Sequence, residues 1–147
     1  MAEPEPLKID DAVAGFIRKI LRLESFFPEF GPEHLVKLFP RSGLFRYPPG
    51  FRLISQGDEG RDLFALYEGS VEIRQSFGSA SATLTTLGPG ALIGEIALLE
   101  KAPRSADAVC MADSAVYRIA FVDLDYILLN NLALAGHLRG LAASRRG

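Results

Sequence analysis

The sequence predicts a mainly β fold with helices at both ends, and three observations lead there. From Arg41 to about residue 119, short segments rich in Phe, Leu, Ile, Val and Tyr alternate with glycine turns, at Pro49-Gly50, Gly57-Asp58, Glu68-Gly69, Gly78 and Gly88-Pro89-Gly90. That spacing marks short antiparallel strands arranged as a sandwich or small barrel. On either side of this region the apolar residues recur with helical period. The length, 147 residues, suits one domain, and a 48% hydrophobic content lets burial drive its folding.

In chain order, residues 1–8 read as a flexible, acidic, proline-rich tail, and 9–147 as a single domain. Asp10 or Asp11 should cap a helix whose apolar face is Val13, Phe16, Ile17, Ile20, Leu21 and Leu23, ending near Pro28. A turn from Phe26 to Pro32 follows, then one or two helical turns over 33–39. Strands are expected at 44–47, 51–55, 63–67, 70–76, 82–87, 107–111 and 114–119. Gly88-Pro89-Gly90 breaks the sheet ahead of a short helix at Gly94. From Phe121 the helical period returns, with Leu124, Ile127, Leu128, Leu134, Leu138 and Leu141 as its stripe and Arg145-Arg146 suited to a helix C-terminus. Asn131 interrupts the stripe, which could form a dimer seam or pack onto the sheets.

Several function classes drop out on composition. A net charge of −2 gives no general attraction to nucleic acid or anionic membrane. The single cysteine, Cys110, rules out an internal disulfide or a cysteine-only metal cluster within one chain, and its apolar alternating segment suggests a buried, inert thiol. No secretory signal precedes the helices, and the longest uncharged apolar stretch, 126–136, is too short to span a bilayer. A cytoplasmic protein without membrane insertion is expected. His34 and His137 stand alone, without metal-ligand spacing, so their expected roles are surface or helix-packing ones. No nucleophile–base pair stands out, so neither catalysis nor a metal site is expected.

Residues 94–106 carry the chemistry: Gly-Glu-Ile-Ala-Leu-Leu-Glu-Lys-Ala-Pro-Arg-Ser-Ala. A short helix opening at Gly94-Glu95 would offer its first N–H groups, including those of Ile96 and Ala97, to an anion. Arg104 could close on that anion with a planar two-pronged donor. Glu95 would repel a phosphate but suits a sugar hydroxyl as acceptor. Phosphate and ribose hydroxyl together describe a compact nucleotide.

This stretch resembles the phosphate-binding cassette of the cyclic nucleotide-binding domain family. The shared pattern is Gly-Glu-aliphatic-Ala-Leu-aliphatic, a four-residue spacer often ending in Pro, then Arg-(Ala/Ser/Thr)-Ala. Gly94–Leu99, Glu100–Pro103 and Arg104-Ser105-Ala106 match it without a gap. The sequence departs at Ile93, where the family often has an aromatic residue, and at Ala91, where Asp is common. The resemblance covers roughly residues 20–145. It implies an antiparallel, jelly-roll-like β-roll with an N-terminal helical segment, a short cassette helix and C-terminal B and C helices.

For the site, the resemblance implies Gly94, Glu95, Ile96, Ala97, Arg104, Ser105 and Ala106 as ligand-binding residues. Ile73, Leu84 and Leu87, inward by strand alternation, would line the sugar and base. The ligand would be cyclic AMP or, less favoured, cyclic GMP. A Thr after the cassette arginine often goes with cyclic GMP, and this chain has Ser105. Leu99 would relay binding to the C-terminal helices, through which a homodimer or a partner protein could engage. Family transcription factors carry a winged helix-turn-helix after the C helix. This sequence stops at Gly147 without one, so direct DNA binding is not expected. The alternatives are an interaction module that keeps the fold but binds no cyclic mononucleotide, or a sensor of another anion such as a cyclic dinucleotide.

Overall fold

In a computed structural model that describes residues 3–146, without the side chains of Ala97, Arg145 and Arg146, Asp10 opens the first helix, α1 (Asp11–Ile20). Its carboxylate accepts the Val13 N–H at 2.9 Å, satisfying one orphan donor of the first turn. Val13, Ala14, Ile17 and Ile20 form the buried face. The helix stops well before Pro28, where the sequence places its end, because Arg22 turns into the left-handed region at φ +52. Leu23 N–H then returns to the Arg18 carbonyl at 2.8 Å and Arg22 N–H to that of Lys19 at 3.2 Å, a Schellman ending. The Arg18 guanidinium closes the following turn on the carbonyls of Phe27 and Pro28. Next comes α2 (Pro32–Leu38), where His34 Nδ1 accepts the Gly31 N–H at 2.9 Å and so caps the helix.

The β region forms two antiparallel sheets that stay open rather than closing into a barrel, giving the roll. One sheet contains β1 (Glu5–Leu7), β2 (Gly43–Tyr47), β4 (Leu63–Glu68), β7 (Leu92–Ile93) and β9 (Ser114–Ile119), in the order β1-β2-β9-β4-β7. The other contains β3 (Arg52–Ile54), β5 (Val71–Phe77), β6 (Ala80–Leu87) and β8 (Asp107–Cys110), in the order β3-β8-β5-β6. Two strands go beyond the sequence reading. β7 is two residues long, too short to show alternation. β1 corrects the expected flexible tail: residues 5–7 pair with Leu44–Arg46, an edge position that tolerates Pro6.

Parity along the strands sets the layers. Leu63, Ala65, Leu92, Tyr117 and Ile119 face the helices, while their neighbours Phe64, Leu66, Ile93 and Val116 face the second sheet. The five-stranded sheet is thus buried on both faces, which is why β4 and β9 read as continuous apolar runs. Cys110 lies between the sheets, fully buried, and burial pushes its thiol up to about 11, as suits an inert core residue.

Two helices end the chain, α3 (Phe121–Asn130) and α4 (Leu132–Arg146). Asn131 separates them and caps the second, its Oδ1 accepting the Leu134 N–H at 3.0 Å. Leu124, Ile127, Leu134, Leu138 and Leu141 are buried within the chain, in the core that the helices share with the sheet, while Leu128 is half-buried. Arg145-Arg146 fall in the last turn of α4, with side chains outside the described residues. His137 packs helices: its ring lies against Phe26 and its Nε2 donates to the Leu21 carbonyl at 2.9 Å. No helix among the described residues is long and apolar enough to cross a membrane.

The start of α3 has an alanine, Ala120, at its cap, so its acceptors come from elsewhere. Asp62 Oδ1 takes the Phe121 N–H at 2.8 Å, and Ser42 Oγ takes the Ala120 N–H at 2.9 Å. Buried Asp123 receives the Ser42 hydroxyl at 2.6 Å and the Arg41 N–H at 3.0 Å. Removing this carboxylate strands two donors. Asp123→Ala should therefore destabilise the fold by about 2–4 kcal/mol, read as a lower urea midpoint at unchanged slope.

Candidate ligand-binding site

Gly94 follows β7 with φ +91, in the left-handed region that glycine enters without strain. A Cβ there would stand 2.7 Å from Arg104 Nη1 and 3.0 Å from the Asp62 carbonyl oxygen. Only glycine gives the passing backbone this approach. The next residues, Glu95–Leu98, form one 3-10 turn whose first N–H groups have no intrahelical acceptor. Leu98 and Leu99 anchor the turn in the core shared with the helices, and the turn packs on α4.

Arg104 is fixed by backbone before its side chain is considered. Its N–H donates to the Asp58 carbonyl at 2.7 Å, and its carbonyl accepts the Gly57 N–H at 2.8 Å. The residue is only 9% exposed. Nη2 donates to the Asp62 carbonyl at 2.6 Å and Nη1 to that of Gly94 at 3.4 Å. Among the described residues Arg104 has no ion pair. The nearest candidate, the Asp62 carboxylate, is held by Arg118 at 2.9 Å and by the Phe121 N–H. Burial draws the Arg104 guanidinium below its ordinary value, the Asp62 charge opposes this, and Arg61, seated over the Phe121 ring, adds to it. A buried cation supported by carbonyl dipoles alone stands to gain much from an incoming anion.

A cavity of about 480 Å³ opens beside this guanidinium, within the range of small-molecule sites. Gly94, Glu95, Ile96, Arg104, Ser105, Ala106, Ile73 and Leu87 all line it. The half-buried Glu95 lines it with a carboxylate that forms no hydrogen bond or ion pair among the described residues. Ser105 is exposed at the rim, its carbonyl taking the Gln75 amide at 3.2 Å. Ala97 contributes backbone to the same turn, and its side chain lies outside the described residues.

Leu84 is the exception. It is 55% exposed and is not part of the cavity wall. Ile73 pairs with Thr85 but Arg74 with Thr83, so Leu84 is the extra residue of a bulge and alternation fails there. Ile73 and Leu87 keep their inward face because Val71, opposite Leu87, is two residues from Ile73. The sequence reading also missed Ile54, Gly60 and Asp107 on the wall, and the Asp62 carbonyl. Asp107 is buried, with Oδ1 accepting the Gln56 N–H at 2.7 Å. An acceptor supplied by backbone leaves no mark on residue type, so Asp62 had no signal to find.

The site thus combines a buried cation, an unpaired carboxylate and an apolar wall within one small cavity. The family profile described as "Cyclic nucleotide-binding domain" matches residues 44–131, spanning all of these groups. The chain belongs to the cyclic nucleotide-binding domain family. This cyclic nucleotide-binding domain is 37% identical over 102 residues to the cyclic AMP receptor protein of Thermus thermophilus, a match covering 68% of this chain and 46% of that protein. It is 35% identical over 78 residues to the cAMP-dependent protein kinase type II regulatory subunit of Drosophila melanogaster, covering 53% and 20% respectively. It therefore spans less than half the length of these curated relatives. Its fold resembles the crystal structure of a cyclic nucleotide-binding domain from Methylobacillus flagellatus, with TM-score 0.75 and 24% identity over 97% of this chain and 83% of that one.

The close approach at Gly94 yields a test of the site's construction. Gly94→Ala combines left-handed strain with a clash against Arg104 and the Asp62 carbonyl. It should cost roughly 2–4 kcal/mol of stability, measured by denaturant unfolding.

Proposed function

We propose that this domain is a non-catalytic sensor of a cyclic mononucleotide, with cyclic AMP as the preferred ligand and cyclic GMP as second choice. The observation that carries the reading is Arg104, a buried guanidinium facing a cavity with carbonyl oxygens as its partners. A cyclic phosphate would supply the missing charge from the cavity side. Glu95 would accept the ribose 2′-hydroxyl, and Ile73 and Leu87 would lie against sugar and base. The two relatives, whose names refer to cyclic AMP, support the same ligand. A cytoplasmic location accords with this reading.

Two connections would carry binding outward. Leu98 and Leu99 join the 3-10 turn to the core that holds α3 and α4. Asp62 joins Arg104, through its carbonyl, to the first N–H of α3, through its carboxylate. The ligand can shift these helices only as far as it binds one packing more tightly than the other.

Titration with cyclic AMP, cyclic GMP and a cyclic dinucleotide, followed by calorimetry and thermal shift, tests the reading. At a hundred times its dissociation constant the true ligand should add about 2.7 kcal/mol of stability. Arg104→Ala should weaken cyclic AMP by more than about a hundredfold, and Arg104→Lys should recover only part of the loss. Binding within a few-fold of the parent in a folded Arg104→Ala variant would move the site elsewhere. Preference for the cyclic dinucleotide would replace the ligand, and no binding at all would favour an interaction module.

Glu95→Gln should cost less than Arg104→Ala, because an amide oxygen still accepts from the hydroxyl. It should also narrow the preference for cyclic AMP over its 2′-deoxy analogue, measured as a ratio of dissociation constants.

A further inference from the structure

Helix α3 is apolar on both sides. Its inner face, with Leu124 and Ile127, is buried in the core. Its outer face carries Val122, Asp125, Tyr126 and Leu129, spaced so that they share one side of the helix. All four are exposed, Tyr126 at 69% and Leu129 at 72%. A helix with apolar residues all round is normally covered all round. Beside this face a groove of about 610 Å³ lies between α3 and the end of α2. Val122 and Tyr126 line it from α3, Lys37 and Leu38 from α2, and Pro40 and Arg41 from the turn that follows.

The two walls carry opposite charges. Asp123 and Asp125 are the only charged residues of α3. Asp123 is buried and already accepts from the Ser42 hydroxyl and the Arg41 N–H. Asp125 is exposed, as are Lys37 and Arg41 on the facing wall. None of these three side chains makes an ion pair among the described residues. An acidic apolar helix therefore stands next to a basic apolar groove. Within one chain the two cannot satisfy each other, because α3 is itself a wall of the groove. A two-fold rotation removes that obstacle, since it brings each feature against its complement on the other copy.

We propose that this face is a self-association surface whose occupant is a second copy of the chain. The outer side of each α3 lies along the groove of the other copy, covering Val122, Tyr126 and Leu129 on both. Each Asp125 then meets the basic wall of the other copy, at Lys37 and Arg41. A small neutral ligand would fill the groove but leave the face of α3 bare and all three charges unpaired. One ten-residue helix and one groove wall per copy make a small interface, so the association is weak. The groove shares no residue with the cavity beside Arg104, so the proposal does not depend on what that cavity binds.

The test is sedimentation velocity of the whole chain, without nucleotide, from about 5 to 500 µM. A monomer–dimer equilibrium with a dissociation constant of roughly 10–100 µM is expected. Leu129→Asp should weaken it about tenfold or more, by placing a charge in the apolar contact. Asp125→Lys, and separately the double variant Lys37→Glu with Arg41→Glu, should each weaken it roughly tenfold through like-charge contacts. An equimolar mixture of these two charge variants should associate within about threefold of the parent, because both symmetry-related contacts then pair opposite charges. A parent that stays monomeric at 500 µM would overturn the proposal, and the groove would then belong to a different partner. A dimer indifferent to Leu129→Asp, or a mixture no tighter than its separate components, would also overturn it. The parent measurement needs no variant, and every substituted side chain is exposed.

Discussion

The guanidinium of Arg104 lies buried against the carbonyls of Asp62 and Gly94, and each support under it is a separate demand on the sequence. Gly94 must lack a side chain, because a Cβ would collide with Arg104 Nη1. The loop before β4 must present its carbonyl at residue 62, and the backbone pairing of Arg104 with Gly57 and Asp58 holds that loop in register. The Asp62 carboxylate must be occupied elsewhere, or it would neutralise the cation, and Arg118 and the start of α3 occupy it. A buried charge held by dipoles is expensive unless the surrounding geometry is rigid. Here the rigidity comes from two sheets packed against each other and from helices packed on the outer face of one of them.

That layering places the site in contact with the helices. The five-stranded sheet is buried on both faces, so a change at its β7 end has no slack to absorb it. The 3-10 turn extends from this end, with Leu98 in the helical core and Glu95 on the cavity wall. One short segment thus touches the proposed ligand on one side and α4 on the other. On the proposed reading, the coupling path is short and made of packed side chains and two hydrogen bonds to Asp62.

Much of this was legible in the residues, and the failures share a cause. Asp10 announced its helix because an acidic cap ahead of an apolar stripe is a local signal. Gly94, Glu95 and Arg104 were legible because their chemistry resides in residue type and spacing. The early end of α1 was not, since Arg22 adopts a conformation that glycine usually marks. Leu84 misled because a bulge at residues 83–85 is a property of strand pairing and cannot be seen in one strand. β1 was hidden because its three residues gain their structure from β2, Leu7 pairing with Leu44 and Glu5 with Arg46, a partner that no local signal announces. Asp62 was hidden because its contact with Arg104 is made by a carbonyl that every residue possesses.

The most direct measurement is a crystal structure of this chain grown with cyclic AMP. The account predicts the cyclic phosphate seated in the cavity beside residues 94–106, with its oxygens at about 2.7–2.9 Å from the Arg104 guanidinium. It also predicts the ribose 2′-hydroxyl on the Glu95 carboxylate. A nucleotide bound elsewhere, or bound in this cavity with Arg104 still confined to the carbonyls of Asp62 and Gly94, would contradict it.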